Sequence, residues 1–293
     1  MAQSRRILVT GATGRQGGAV VRQLLARGHH VAAMTRKPDS PAARELARLH
    51  AEIVQADLDD EASLAQALKG VWATFAVQNT WEAGVEREEA QGKRFARVAR
   101  EAGVERFVYS SVGSAHRGTG IPHFENKRRV EETVTGLAFP ASVVLRPVFF
   151  MENFLSPAHL ANIAQGRLVM GIAPETVLQM IAVEDIGRYG AWALENADTL
   201  NGRAFDIAGD QHTMPETAEI IGQAAGRKVE FVRQPIDEIR RASMDWAVML
   251  EWFDREGYEA EIEHTAREAG IRPTRLERWA RHMNWAAPAK RAA

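Results

Sequence analysis

The chemistry-bearing residues at the start of the chain are glycines. A strand-like run ending at Thr10 leads directly into Gly11-Ala-Thr13-Gly14-Arg15-Gln16-Gly17-Gly18, and a helical pattern, Ala19–Arg27, follows. Between a strand and a helix, this G-x-x-G-x-x-G spacing forms a phosphate cradle. Gly11 permits a tight turn, Gly14 lets the backbone approach a pyrophosphate, and Gly17 lets helix pack on strand. The helix start supplies free N–H groups and partial positive charge. The alternative is a plain glycine-rich turn, and the flanking strand and helix weigh against it. The end of the second strand reads Met34-Thr35-Arg36-Lys37-Pro38. An NAD site carries Asp or Glu there to meet the ribose hydroxyls. Here two cations stand instead, with Arg15 as a third in the loop, and such groups suit a 2′-phosphate. The alternative is that they are solvated loop charges. The pattern predicts NADP(H), with NAD(H) disfavoured. Thr13, Arg15 and Gln16 join the glycines as cofactor-binding residues, Asp57 and Leu58 fall at the adenine, and Val77, Gln78 and Asn79 at the cofactor's middle.

The elements that must position these residues alternate. Short apolar runs at Ile7–Thr10, Val31–Met34, Ile53–Ala56, Ala73–Val77, Phe107–Tyr109 and Ser142–Leu145 are separated by amphipathic stretches such as Gly17–Arg27, Leu64–Leu68 and Glu86–Ala102. Continuous apolar strands between helices imply a parallel sheet covered on both faces, and right-handed crossovers give a doubly wound, Rossmann-type α/β fold. After Pro147 the rhythm changes. Residues 1–150 are expected to form the dinucleotide-binding domain, with 181–208 returning to it. Residues 151–180 and 209–286 are expected to form a smaller α+β substrate or partner domain over the carboxyl edge of the sheet, and 287–293 a frayed tail. Within the second part, Met214–Gly226 and Asp237–Phe253 read as helices, and Pro273–Trp279 opens a last, capped one. The alternating signs of Glu86–Arg94 read as an exposed helix face.

Several segments together resemble the NmrA-like family of atypical short-chain dehydrogenase/reductases, and most nearly its NADPH-sensor branch. They are the loop Gly11–Gly18, Thr35-Arg36-Lys37, Gln78-Asn79-Thr80-Trp81-Glu82, His123-Phe-Glu-Asn-Lys127, Leu145–Asn153, Val183–Gly187 and Thr274–Trp279. The resemblance runs from about Ile7 to Trp279. It implies NADP(H) held by the glycine loop, the second-strand cations, Gln78–Asn79 and Lys127, with Pro147, Phe149 and Phe150 bordering the nicotinamide. It also implies either turnover of NADPH, as in quinone reductases, or a redox sensor that binds a protein partner.

The same resemblance isolates a departure. Ordinary short-chain dehydrogenases place Tyr-x-x-x-Lys on one helix face, where the lysine lowers the tyrosine pKa and binds the nicotinamide ribose. Here Lys127 is in register, but His123 stands at the tyrosine position, and Ser110 and Ser111 supply the upstream hydroxyls. Either His123 acts as general acid, with Ser111 assisting and Lys127 orienting the ribose, or His123 only packs at the cleft while Lys127 holds cofactor. Arg128 and Arg129 read as a solvated face. Trp81, His123, Phe149, Asn153 and Phe154 are candidates for a hydrophobic substrate pocket, and packing accounts for the aromatic residues equally well. The expected activity is hydride transfer from NADPH to a quinone- or enone-like acceptor, without the usual catalytic tyrosine; the alternative is a non-catalytic NADPH/NADP sensor.

Composition narrows the rest. Lys+Arg number 37 against Asp+Glu 38, for a net charge of -1, so direct nucleic-acid binding is not expected. Cys is absent, which removes disulfides and thiolate chemistry. The His residues lack ligand spacing, so no metal site is expected. No apolar run approaches a signal peptide or a span, which points to a cytoplasmic protein, monomeric or homodimeric, whose partner is a small hydrophobic substrate or a regulated protein.

Overall fold

The structure, a computed structural model, describes residues 5–286. The proposed tail at 287–293 lies outside them. The described chain divides into two compact units, one of residues 5–118, 122–147 and 183–206, the other of 119–121, 148–182 and 207–286.

In the first unit the elements run β1 (Arg6–Val9), α1 (Arg15–Ala26), β2 (His30–Thr35), α2 (Pro41–Arg48), β3 (Glu52–Gln55), α3 (Glu61–Ala67), β4 (Val71–Ala76), α4 (Thr80–Ala83), α5 (Val85–Glu101), β5 (Arg106–Ser110), α6 (Pro122–Gly136) and β6 (Ala141–Pro147). The sheet order is β3-β2-β1-β4-β5-β6, followed by the strand Ala204–Ile207. The pairings of neighbouring strands among β1 to β6 are parallel. Parallel strands in this order, with the switch between β1 and β4, define a Rossmann-like sheet. The apolar strand runs are buried on both sides, as in Ile7-Leu8-Val9 and Val31-Ala-Ala-Met34.

Local chemistry sets the helix starts. Ser40 accepts from the Ala43 N–H at 3.2 Å ahead of Pro41, and Asp60 accepts from Ala62 and Ser63 at 3.0 and 3.2 Å. The helix Val183–Glu195 closes on α1 because two of its residues lack side chains. A Cβ on Gly187 would meet the Ala19 carbonyl at 2.8 Å, and one on Gly190 would meet Val20 Cγ2 at 2.7 Å. On the other face Phe107 stacks on Phe139 at 4.6 Å within a cluster that includes Leu8, Met34, Leu64 and Phe95.

The second unit holds a three-stranded sheet in which Leu178–Ile181 pairs antiparallel with Asp210–His212 and parallel with Phe149–Phe150. It also holds a parallel pair, Arg167–Met170 with Glu230–Arg233. The single helix expected over Asp237–Phe253 is two, Ile236–Ala242 and Met244–Arg255, because Ser243 breaks the run and caps the second by accepting from Trp246 at 3.2 Å. The last helix, Leu276–Arg281, takes its cap from a distance: the Asp210 carboxylate accepts from the Leu276 N–H at 2.8 Å.

Candidate functional site

The glycine loop is built around the Gly11 carbonyl. Gly11 takes a left-handed turn with φ +57°, and a Cβ there would lie 2.9 Å from Val77 Cγ1. The Gly14 N–H donates to the Gly11 carbonyl at 2.9 Å. A Cβ on Gly17 would meet that same oxygen at 2.3 Å, so no other residue fits without moving backbone. Thr10 fastens the loop to β4: its hydroxyl donates to the Val77 carbonyl and accepts from the Val77 N–H, both at 2.8 Å. Helix α1 then begins at Gly14 with no side-chain cap and no acid in its first turn. A helix start without a side-chain cap or an acid suits an outside acceptor, and the dipole favours an anion there. Thr13, Gly14 and Arg15 are exposed, while Gln16 accepts from the Ser110 hydroxyl at 2.7 Å.

Beside the loop, the amide of Gln78 is buried and neither its nitrogen nor its oxygen has a partner. Gly92 makes room for it: a Cβ there would come within 3.2 Å of Gln78 Oε1. Ser111 Oγ is likewise buried without a partner. Buried polar atoms are nearly always satisfied, so two such groups near one edge fit a polar ligand. Asn79 turns its side chain inward to cap α4, accepting from the Trp81 N–H at 3.2 Å.

At the end of β2, Arg36 and Lys37 are exposed. Arg36 is ion-paired with Glu82 of α4, a partner not foreseen from the sequence. The Asp57 carboxylate accepts from the Asp59 N–H at 3.0 Å, and half-buried Leu58 lends its carbonyl to Arg94 at 2.8 Å. Asp59 in turn is held by Arg87, Gln91 and Arg94 of α5, and the Arg87 hydrogen bond is the main reason its carboxyl lies below the usual range.

The expected exposed face of α5 is corrected at Glu88, which is 1% exposed. The spacing of Glu88, Gly92, Phe95 and Ala99 puts all four on the buried side of the helix, a signal present in the sequence but masked by the alternating charges. Lys127 Nζ donates to Glu88 Oε1 at 2.7 Å. Asn126 Nδ2 donates to Glu88 Oε2 at 2.7 Å and to the Val85 carbonyl at 2.8 Å, and the Thr80 hydroxyl also donates to Glu88 Oε2. Burial acts to raise the Glu88 pKa. The Lys127 charge and the hydrogen bonds from Lys127, Thr80 and Asn126 outweigh it, and the carboxyl stays ionised below its ordinary range.

One turn before Lys127 on α6, His123 is buried, with its ring 5.3 Å from that of Trp81 and edge-on to Phe124 at 4.8 Å. Trp81 itself is 62% exposed. Tyr109 does not replace the missing tyrosine. Its hydroxyl is fully buried with no partner, and burial, then the charges of Glu88, Glu131 and Glu89, push its pKa well up. Arg129 is no mere solvated charge either, since it binds Glu89 of α5 at 2.7 Å. Arg128 pairs with Glu125 and Glu132 along its own helix.

The remaining expected site residues divide between the units. Pro147 closes β6, its carbonyl accepting from the Gly113 N–H at 2.9 Å. Phe149, Phe150, Asn153 and Phe154 belong to the second unit. There Phe149 and Phe150 pair with Met180 and Ile181, and Phe154 is fully buried between the rings of Phe149 at 5.5 Å and His159 at 5.9 Å. Among the described residues no group of three His, Asp or Glu side chains has metal-holding geometry, and no helix is long and apolar enough to cross a membrane.

The chain belongs to the NmrA-like family, whose profile matches residues 3–280. It is 35% identical over 253 residues, 78% of this chain and 75% of the other, to the NmrA-like family domain-containing oxidoreductase malD of Malbranchea aurantiaca. Against several other fungal relatives it spans about half of their length, 54% and 49% in two of them. Among solved structures it is similar to the NADPH-dependent quinone oxidoreductase QOR2 of Escherichia coli in complex with NADPH. The TM-score is 0.80 at 22% identity, over 94% of this chain and 99% of that one. It is equally similar to NmrA, a negative transcriptional regulator, in complex with NADP, with a TM-score of 0.80 at 21% identity over 96% and 95%.

Proposed function

We propose that the first unit binds NADP(H) and that the chain is an NADPH-dependent reductase of a small hydrophobic acceptor of the quinone or enone type. The observation that carries this reading is the uncapped start of α1 behind a cradle that only glycine fits at position 17, with Arg36 and Lys37 where an NAD site would carry an acid. The unpartnered Gln78 amide supports it. When bound, the cofactor supplies a hydride. The chain's own part is to hold the phosphates at the loop and α1, to meet the 2′-phosphate with Arg36 and Lys37, and to present Lys127, already fixed by Glu88, as a ribose donor. A quinone acceptor places less demand on an acid, because the phenolate it becomes is a resonance-stabilised anion that water can protonate. That suits a site with His123 in place of tyrosine. Trp81 over His123 offers apolar surface for such a ring.

One observation favours a second reading, a non-catalytic sensor of the NADPH/NADP ratio. The Lys127 charge is already matched by Glu88, which leaves His123 without a lysine charge to activate it. The deciding experiment is NADPH oxidation by the purified protein across quinones, enones and aldehydes, with Lys127→Ala as control. Turnover lost in the control establishes the reductase. Tight NADPH binding without turnover on any of them favours the sensor, and absence of NADPH binding overturns both.

A further inference from the structure

Glu88 lies in a place where an acid is expensive: a buried helix face behind the segment Gln78–Trp81. Its two oxygens collect three side-chain donors, from Lys127, Asn126 and Thr80. Through Lys127 it reaches α6, and through Thr80 it reaches the turn that carries Asn79 and Trp81. A neutral glutamine would fill the same space, but its one oxygen could accept on only one side, since all three partners are donors. What only the carboxylate supplies is a negative charge 2.7 Å from the Lys127 ammonium.

That charge has a consequence specific to a nicotinamide site. The oxidised ring is a cation and the reduced ring is neutral. A lone buried ammonium at the ribose repels the oxidised form and leaves the reduced one alone, and low effective dielectric makes the repulsion count. An ammonium paired with a carboxylate presents its N–H donors with no net charge. We propose that Glu88 is a positioning residue that holds Lys127 and, by cancelling its charge, sets the relative affinity of the site for NADP+ and NADPH. The proposal rests on the reading that Lys127 meets the cofactor, and the test separates the two.

The test is titration of the full-length protein with NADPH and with NADP+ by calorimetry at pH 8, for the wild type, Glu88→Gln, Lys127→Met and the double variant. Glu88→Gln leaves an uncancelled ammonium and should shift the affinity ratio toward NADPH by about five- to twentyfold. Lys127→Met leaves the carboxylate held by Asn126 and Thr80 and should shift the ratio the opposite way. The double variant, with neither charge, should return near the wild-type ratio. A purely structural role would weaken both ligands together and leave the ratio unmoved; that result, with Lys127→Met still weakening both, overturns the proposal. If Lys127→Met binds both ligands as the wild type does, the cofactor reading of Lys127 is what fails, and the proposal with it. Should Glu88→Gln not fold, Lys127→Met and the double variant carry the same comparison.

Discussion

Arg36, at the end of β2, is joined in an ion pair to Glu82 of α4, forty-six residues along the chain. The cation proposed to meet a 2′-phosphate thus has a carboxylate partner already. Both side chains are about half exposed, so the pair contributes at most about 1 kcal/mol. A phosphate has to displace Glu82 to use both edges of the guanidinium. Glu82→Ala should therefore tighten NADPH binding by up to about fivefold and leave NADH unchanged. Arg36→Ala with Lys37→Ala should weaken NADPH far more than NADH. Calorimetric titration of both cofactors reads both variants, and equal effects on NADPH and NADH would refute the phosphate assignment.

Gly17 and Gly28 make a matched comparison of two kinds of glycine. A methyl at Gly17 would meet the Gly11 carbonyl at 2.3 Å, whereas one at Gly28, with φ +81°, meets nothing within 4 Å. Gly28→Ala has only backbone strain to bear and should cost about 1 kcal/mol in urea unfolding. Gly17→Ala must push backbone apart and should cost roughly 2–4 kcal/mol, with NADPH binding lost. Equal costs would mean the loop is looser than its contacts indicate.

How far the sequence carries the reader depends on whether a feature is local. The Gly11–Gly18 loop, the strand rhythm and the cations after Thr35 are all written in neighbouring residues, and the sheet follows from them. Glu88 is semi-local: its helical spacing with Gly92, Phe95 and Ala99 places it inward, but charge alternation across Glu86–Arg94 imitates a solvated face. Ser243 is a residue type that caps helices, yet the apolar residues on both sides of it continue at helical spacing and hide the break. The Arg36–Glu82 pair and the Asp210 cap on Leu276 join residues forty-six and sixty-six apart, and no pattern in one sequence announces such a meeting.

Asp210 illustrates the last kind. Its carboxylate accepts from the Leu276 N–H at 2.8 Å, pairs with His212 at 3.0 Å and receives Arg275 at 3.3 Å. Burial acts to raise its pKa, but the bonds from His212 and from the Leu276 and Gln211 N–H groups hold it below the ordinary value. Asp210→Ala removes the cap of the helix Leu276–Arg281 and should lower stability by about 2 kcal/mol. Hydrogen exchange should show the loss of protection concentrated in that helix, and a uniform loss would count against the capping role.

Trp81 and His123 stand ring to ring at 5.3 Å, one exposed and one buried. If their surface receives the acceptor, Trp81→Ala should raise KM for an apolar quinone by roughly tenfold, as expected for removal of a large aromatic contact. NADPH affinity should hardly change. His123→Ala should also leave NADPH affinity nearly intact. A large fall in cofactor binding in either variant would place these rings against the cofactor instead.

The Glu88 carboxyl gives the first unit a sensitivity to acid whose sign follows from its shift. Its pKa is lower folded than unfolded, so its contribution is fully present above the unfolded value near 4.5 and is lost as pH falls through the folded value. Stability measured by urea unfolding should accordingly fall below about pH 5. Glu88→Gln cannot protonate, so it should be less stable than the wild type at pH 7 and show a shallower decline on acidification. The two curves should converge at low pH, where the wild-type carboxyl is neutral as well. Glu88→Ala, which also strands the Lys127 ammonium without an acceptor, should lose about 3 kcal/mol or more at pH 7. Parallel curves for the wild type and Glu88→Gln across the acid range would show that folding does not lower the Glu88 pKa, and a wild type that gains stability relative to Glu88→Gln on acidification would show the carboxyl to be neutral when folded; either result counts against its charge pairing with Lys127.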